Sequence, residues 1–302
     1  MTVSYCIPLY NKERHIAAVL EAALAERAAT GGEVLVYDDA STDRSLAIVE
    51  AMAAQAPIRL ITGGSNRGVF HATAILIGTA TQPFLRLIDA DDRVVPGSTA
   101  HLLDLLDRHG AILASGILGT QAVTPASDYA GAETRIDERP FRLLLRNIDF
   151  NLSASVMPTG AAQAALPLPT DLRIAQDLCM ALRLAKRGRL VRSDAVVALQ
   201  PPESTNRLSR RLAAMYRDIC LIIAGELTAE ATQGDAAYAV RRQAGRCAHY
   251  FRREAPGLVG WHDRVFLTQC RIAMSFEPVT QQADRLRRIA TLFGRDEARV
   301  LS

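Results

Sequence analysis

Three acids fall within four positions at Asp89, Asp91 and Asp92, directly after the apolar run PFLRLI. Carboxylates this close repel one another at neutral pH, so the cluster costs stability unless a cation, a basic partner or full hydration offsets it. Asp89 and Asp91 lie two apart, a spacing that in extended backbone puts both side chains on one side. Magnesium and manganese take hard oxygen ligands, usually one or two carboxylates completed by substrate phosphate oxygens. A short acidic loop beside a diphosphate meets that need. The alternative is that Asp91 or Asp92 caps the following helix and the remaining acids are solvated. A second acidic loop, DDASTD from Asp38 to Asp43, also has two readings. It is either a turn into a helix capped by Ser41, Thr42 or Asp43, or a site where Asp38 and Asp39 accept hydrogen bonds from a nucleobase imide or a ribose hydroxyl.

Positioning such loops requires a scaffold. Over the first 115 residues, short β-rich runs alternate with amphipathic helical stretches, the pattern of βαβ units and a mostly parallel sheet. TVSYCIP, EVLVYDD, IRLIT, PFLRLI and AILAS read as strands. Ile16, Val19, Leu20, Ala23 and Leu24 form one helical stripe able to cover the sheet. From Gly116 to Pro140 the periodicity weakens into a loop or short hairpin insertion. SASVMP and RSDAVVALQ read as further strands, with a helix at QDLCMALRLAKRG between them. After Asn206 only helical segments follow, so residues 1–205 form an α/β domain and 206–302 a C-terminal helical region. Ligands of open parallel sheets bind at the carboxyl ends of strands. There the chain places PLYNKE, DDASTD, GGSNRG and DADDR, after strands one to four.

Composition narrows the classes. The 302 residues are 49% hydrophobic, with no apolar run long enough to span a bilayer and no basic leader in MTVSYCIPLYNKERH, so a soluble cytoplasmic chain is expected. The five cysteines match no zinc spacing and read as reduced core thiols. Residues 1–206 carry 19 basic and 22 acidic side chains, net −3, and residues 207–302 carry 16 and 10, net +6. No nucleic-acid partner is expected. The basic helices read as an arginine-rich solvated surface, and they leave open a peripheral membrane contact or a homo-oligomer.

The motifs CIPLYNKE, VYDDASTDRS, NRGV and LIDADD, in this order, resemble family 2 glycosyltransferases, inverting enzymes of the GT-A fold. The resemblance implies an α/β, Rossmann-like GT-A domain that binds a nucleotide sugar, UDP-linked in the donor, together with Mg2+ or Mn2+. It implies that Pro8, Tyr10, Asn11 and Glu13 frame the nucleotide, that Asp38 and Asp39 face base and ribose, and that Asn66 and Gly68 complete the donor site. Asp89 and Asp91 would form the DxD motif, with Asp91 the main metal ligand and Asp89 a contact to ribose or metal. In IAQDLCMALR, Asp177 matches the family's general base, which would deprotonate a glycan or other hydroxyl acceptor. Three motifs depart from the family pattern: Thr73 and Ala74 replace Arg and Asn after NRG, Gln176 replaces the Glu before Asp177, and LQPPESTNRLS lacks a histidine used near the metal. The departures favour, as the alternative, a glycosyltransferase-like binding or assembly module with impaired catalysis. A nucleotidyltransferase would need a Gly-rich loop after the first strand, and a D-x-D phosphatase would carry its motif on that strand.

Overall fold

The computed structural model describes residues 1–120, 129, 131–146, 150–202, 212–227, 233–273 and 275–300. The chain divides into two compact units. The first comprises Met1–Pro140, Asn151–Asp171 and Arg187–Ser204, and the second Phe141–Phe150, Leu172–Lys186 and Thr205–Ser302.

The first unit is built on one sheet. Its strands are β1 (Val3–Leu9), β2 (Gly32–Asp38), β3 (Ile58–Thr62), β4 (Phe84–Leu87), β5 (Arg93–Val94), β6 (Leu113–Thr120), β7 (Thr134–Asp137), β8 (Ser155–Pro158) and β9 (Leu190–Gln200). The order across the sheet is β3-β2-β1-β4-β8-β6-β9-β5, with β7 also paired to β9. Strands β3, β2, β1 and β4 run parallel. Crossovers α1 (Ile16–Thr30), α2 (Ser45–Ala53) and α3 (Val69–Thr79) join them. Beyond β4 the sheet is mixed, because β8 lies antiparallel to both β4 and β6. The βαβ alternation that announces parallel pairing ends with β6, and the later strands arrive by other connections.

Burial explains why these runs are strands. Every residue of β1 is buried except the half-buried Pro8, as expected of a central strand covered on both faces. Ile16, Val19, Leu20 and Ala23 of α1 are buried in the same core as Val3, Tyr5 and Ile7. The stripe ends in an acid. Glu26 is buried, and its carboxylate accepts the N–H groups of Gly97 and Thr99 at 2.6 and 2.8 Å. Its other neighbour, at 3.9 Å, is Arg86 of β4, the largest fully buried side chain. Arg86 donates to Ser98 Oγ, Thr99 Oγ1 and the carbonyls of Ser153 and Val197. Burial pushes its pKa down to about 10, against the opposing pull of Glu26. The guanidinium thus ties β4 to β9, to the start of α4 (Ser98–His109) and to the segment before β8. The first unit also contains α6 (Thr159–Ala164).

The second unit is helical. It holds most of α5 (Pro140–Arg146), together with α7 (Gln176–Ala185), α8 (Leu212–Glu226), α9 (Gln233–Arg253), α10 (Trp261–Arg271) and α11 (Val279–Val300). Tyr250 meets Tyr216 and Phe251 edge to face, Phe251 stacks on Phe293, and the Tyr250 hydroxyl donates to Asp296. All five cysteines are free and buried, and burial pushes the Cys179 and Cys247 thiols up to about 12. Among the described residues, no helix is long and apolar enough to cross a membrane.

Candidate active site

The loops after β1, β2 and β4 are stitched together at the carboxyl edge of the parallel strands. Asn11 follows β1 with φ 51°, a left-handed conformation that asparagine tolerates. Its Oδ1 accepts the Thr42 N–H at 2.7 Å, its Nδ2 donates to Thr42 Oγ1 at 3.2 Å, and its own N–H donates to Ser41 Oγ at 3.0 Å. Glu13 continues the seam by accepting the Arg44 N–H and Nε–H at 3.2 and 3.1 Å. Those bonds hold its carboxyl below the ordinary range. Tyr10 is 41% exposed beside this seam, and Pro8 pairs in register with Tyr37 of β2.

Between Asn11 and Glu13, Lys12 reaches both acidic loops. Its backbone N–H donates to Ser45 Oγ at 2.7 Å, and its ammonium lies 2.6 Å from Asp91 Oδ2. The Asp91 side chain is 11% exposed and that of Lys12 28%. The acid next to β4 therefore already holds a cation. Lys12 escaped the sequence reading, although it is one of only two lysines in an arginine-rich chain. Asp89 is fixed through its backbone, whose N–H donates to Ser153 Oγ at 2.9 Å, while Asp92 N–H closes a turn onto the Asp89 carbonyl. Neither Asp91 nor Asp92 caps α4, which begins at Ser98 after the left-handed Gly97.

On the β2 side, Asp38 and Asp39 are both buried and do different things. Asp39 Oδ2 accepts the Gly68 N–H at 2.7 Å, and both its oxygens accept the Arg67 N–H. Asp39 thereby fixes the NRG turn, in which Asn66 is exposed. Gly68 precedes α3 with φ 89°, a backbone that a side chain would strain. Asp38 Oδ2 accepts the Ser41 N–H at 3.1 Å, and its Oδ1 is a buried acceptor without a hydrogen-bond donor among the described residues. None of Ser41, Thr42 and Asp43 occupies the N-cap of α2, which is Arg44; Asp43, one residue earlier, accepts the Ser45 N–H at 2.9 Å. Thr73 is buried within α3, and His71 sets its ring edge-on to Tyr37 at 5.8 Å.

Asp177 lies in the first turn of α7, in the second unit, after Ala175 in a left-handed conformation. The residues leading to it are held by the fully buried Asp218 of α8, whose Oδ2 accepts the N–H groups of Arg173 and Ile174 at 2.9 and 3.0 Å. Arg217 neutralises that acid at 2.8 Å. Farther along, Arg183 of α7 and Lys186 just after it pair with Glu226 of α8 at 2.7 and 2.8 Å.

The donor set suits a hard divalent cation. Among the described residues no three His, Cys, Asp or Glu side chains gather into a complete metal cage. One or two carboxylates at Asp91 and Asp89, completed by phosphate oxygens, is the arrangement magnesium and manganese commonly take. The Lys12 ammonium is the positive charge that Asp91 holds in this structure.

Known proteins share this architecture. The chain superposes over 98% of its length on S. aureus TarS 1-349 in complex with UDP-GlcNAc, covering 92% of that chain with a TM-score of 0.67 at 17% identity. It also matches the mannosyltransferase PcManGT from Pyrobaculum calidifontis in complex with GDP-Man and Mn2+, over 98% of this chain and 87% of that one, with a TM-score of 0.60 at 17% identity. At such identities the likeness establishes the GT-A fold. In sequence, the succinoglycan biosynthesis protein ExoO of Rhizobium meliloti (strain 1021) is 34% identical over 150 residues, 50% of this chain and 42% of that protein. Chondroitin synthase of Escherichia coli is 30% identical over 102 residues, 34% of this chain and 15% of that protein. The chain thus spans less than half the length of these curated relatives. The profile of glycosyl transferase family 2 matches residues 4–162, more than half of the chain and all of the stitched loops, and the chain belongs to that family.

Proposed function

We propose that the chain transfers a sugar from a nucleoside diphosphate sugar, UDP-linked, to a hydroxyl of a glycan or other cell-surface precursor, with inversion and metal assistance. The observation that carries the reading is the cation-paired Asp91, joined through Lys12 and Asn11 to the loop that bears Asp38. Asp38 Oδ1, a buried acceptor with room in its hydrogen bonding, suits a donor on the base or ribose. The exposed Tyr10 ring offers a face on which a base can stack. Asp91, with Asp89 beside it, would hold a divalent cation, which when bound offsets the charge that develops on the departing diphosphate. Asp177, at the positive end of α7, would take the acceptor's proton, a contribution of roughly 10² to 10⁴ in rate.

Calorimetric titration with UDP, with and without Mn2+, tests the donor half. UDP should bind in the presence of Mn2+, and Asp91→Asn should weaken that binding about tenfold or more; an unaltered affinity would remove Asp91 from the metal site. Asp177→Asn should spare UDP binding and abolish transfer from an identified donor. Donor binding without turnover in the wild type would instead favour a binding module, a reading that the buried Thr73 in place of an arginine supports.

A further inference from the structure

The geometry points to Lys12 as an exchangeable counter-ion that couples metal binding to diphosphate binding. This inference rests on the reading of Asp91 as metal ligand. Lys12 Nζ lies 2.6 Å from Asp91 Oδ2, within hydrogen-bond contact of the oxygen a divalent ion would take. Metal–oxygen bonds of about 2.0–2.1 Å around that oxygen leave no room for an ammonium on the same lone pairs, and the two cations repel. For Asp91 to ligate a metal, Lys12 must leave it.

The backbone restricts where the ammonium can go. Lys12 N–H is fixed to Ser45 Oγ at 2.7 Å, and its carbonyl accepts the N–H groups of His15 and Ile16 at 2.9 and 3.0 Å. Only the four-carbon stem is free to swing. It stays at the edge of β1, between the loops that follow β2 and β4. An ammonium turned away from a carboxylate in a site three-quarters shielded from water needs another anion. A nucleoside diphosphate brings one at the moment the metal arrives. The exchange replaces one ion pair, Lys12 with Asp91, by two contacts, metal with Asp91 and Lys12 with a diphosphate oxygen. Metal alone must displace the lysine without offering it a partner, and diphosphate alone must draw the lysine away while leaving Asp91 bare. Each ligand therefore removes the cost of binding the other, and by linkage the coupling is reciprocal.

The test is a set of four affinities on the full chain: Mn2+ alone, UDP alone, Mn2+ with saturating UDP, and UDP with saturating Mn2+, measured by electron paramagnetic resonance of free Mn2+ and by calorimetry. For Lys12→Met, Mn2+ alone should bind about tenfold tighter and UDP alone at least threefold weaker, so the coupling between them falls. Lys12→Arg, which grips a carboxylate in bidentate fashion, should move Mn2+ alone the other way, a few-fold weaker, and so tests the idea even if the methionine variant folds poorly. A lysine with only a structural role would leave both single-ligand affinities unchanged or lower both, and either result overturns the inference. Asp91→Asn separates the two levels. Loss of Mn2+ binding there, with Lys12→Met unchanged from wild type, sinks the exchange and keeps the metal site; unchanged Mn2+ binding in Asp91→Asn sinks both.

Discussion

Arg86 Nη2 donates to the Ser153 carbonyl at 3.1 Å, and the Ser153 hydroxyl receives the Asp89 N–H at 2.9 Å. A fully buried cation is thus two bonds from the acidic loop whose conformation it secures. Removing the guanidinium would strand Glu26 in the core without its cation and leave the Ser153 and Val197 carbonyls without that donor. Arg86→Met should destabilise the fold by about 3–5 kcal/mol in urea unfolding, the usual cost of breaking a buried charge network from one side. A loss under 1 kcal/mol would mean that the network contributes little.

Asp43 gives a pH signature. Desolvation pushes its carboxyl up, but hydrogen bonds from Ser45, Glu13 N–H and its own backbone outweigh that and hold it below 3.8, the ordinary value. A depressed acid contributes stability that is fully present above its unfolded pKa and is lost as pH falls through the folded one. The stability difference between wild type and Asp43→Asn, about 1 kcal/mol at neutral pH for a helix-start acceptor, should therefore be flat above pH ~5 and shrink below ~3.8. Paired denaturation curves across that range measure it, and a difference that grows on acidification would contradict the assignment.

Gly68 combines a left-handed backbone with an N–H bonded to Asp39. Gly68→Ala should cost about 1 kcal/mol of stability or more through strain at positive φ. It should also weaken UDP binding, because the NRG turn borders the Asp39 loop. Unchanged melting and affinity would show that the turn tolerates a side chain.

Asp218 acts on α7 through backbone bonds that precede Asp177. Asp218→Asn should lower kcat about tenfold or more while leaving UDP affinity within about twofold, since it displaces the proposed base and not the donor site. An equal loss in both would mean that the substitution unfolds more than the start of the helix.

The sequence was most legible along the βαβ run, where β-rich segments alternate with helical stripes. IRLIT coincides with β3 although no residue of that edge strand is fully buried, and VSYCIPL of the buried β1 lies within a residue or two of TVSYCIP. β5 and β7 were not legible, for a physical reason. Arg93–Val94 is two residues long, and Thr134–Asp137 is largely exposed and has no apolar alternation, so both are strands only because β9 pairs with them. The site divides in the same way. Acidic loops announce themselves by composition, whereas Lys12 meets Asp91 across 79 positions and Arg86 meets Ser153 across 67, contacts that only strand register creates. Arg86 is the polar interruption in PFLRLI, and an arginine in an otherwise apolar strand was the available sign of a buried network.

The second unit is not a tail in the sense of something added at the end. The chain contributes Leu172–Lys186 to it before returning to the sheet for β9, and α8 anchors that early contribution at both ends through Asp218 and Glu226. A deletion from residue 205 onward would therefore not trim an accessory. It would orphan α7 and release Asp177 from its support, while the stitched loops at the far end of the sequence kept every bond described for them. Shortened proteins of this kind should separate nucleotide retention from turnover.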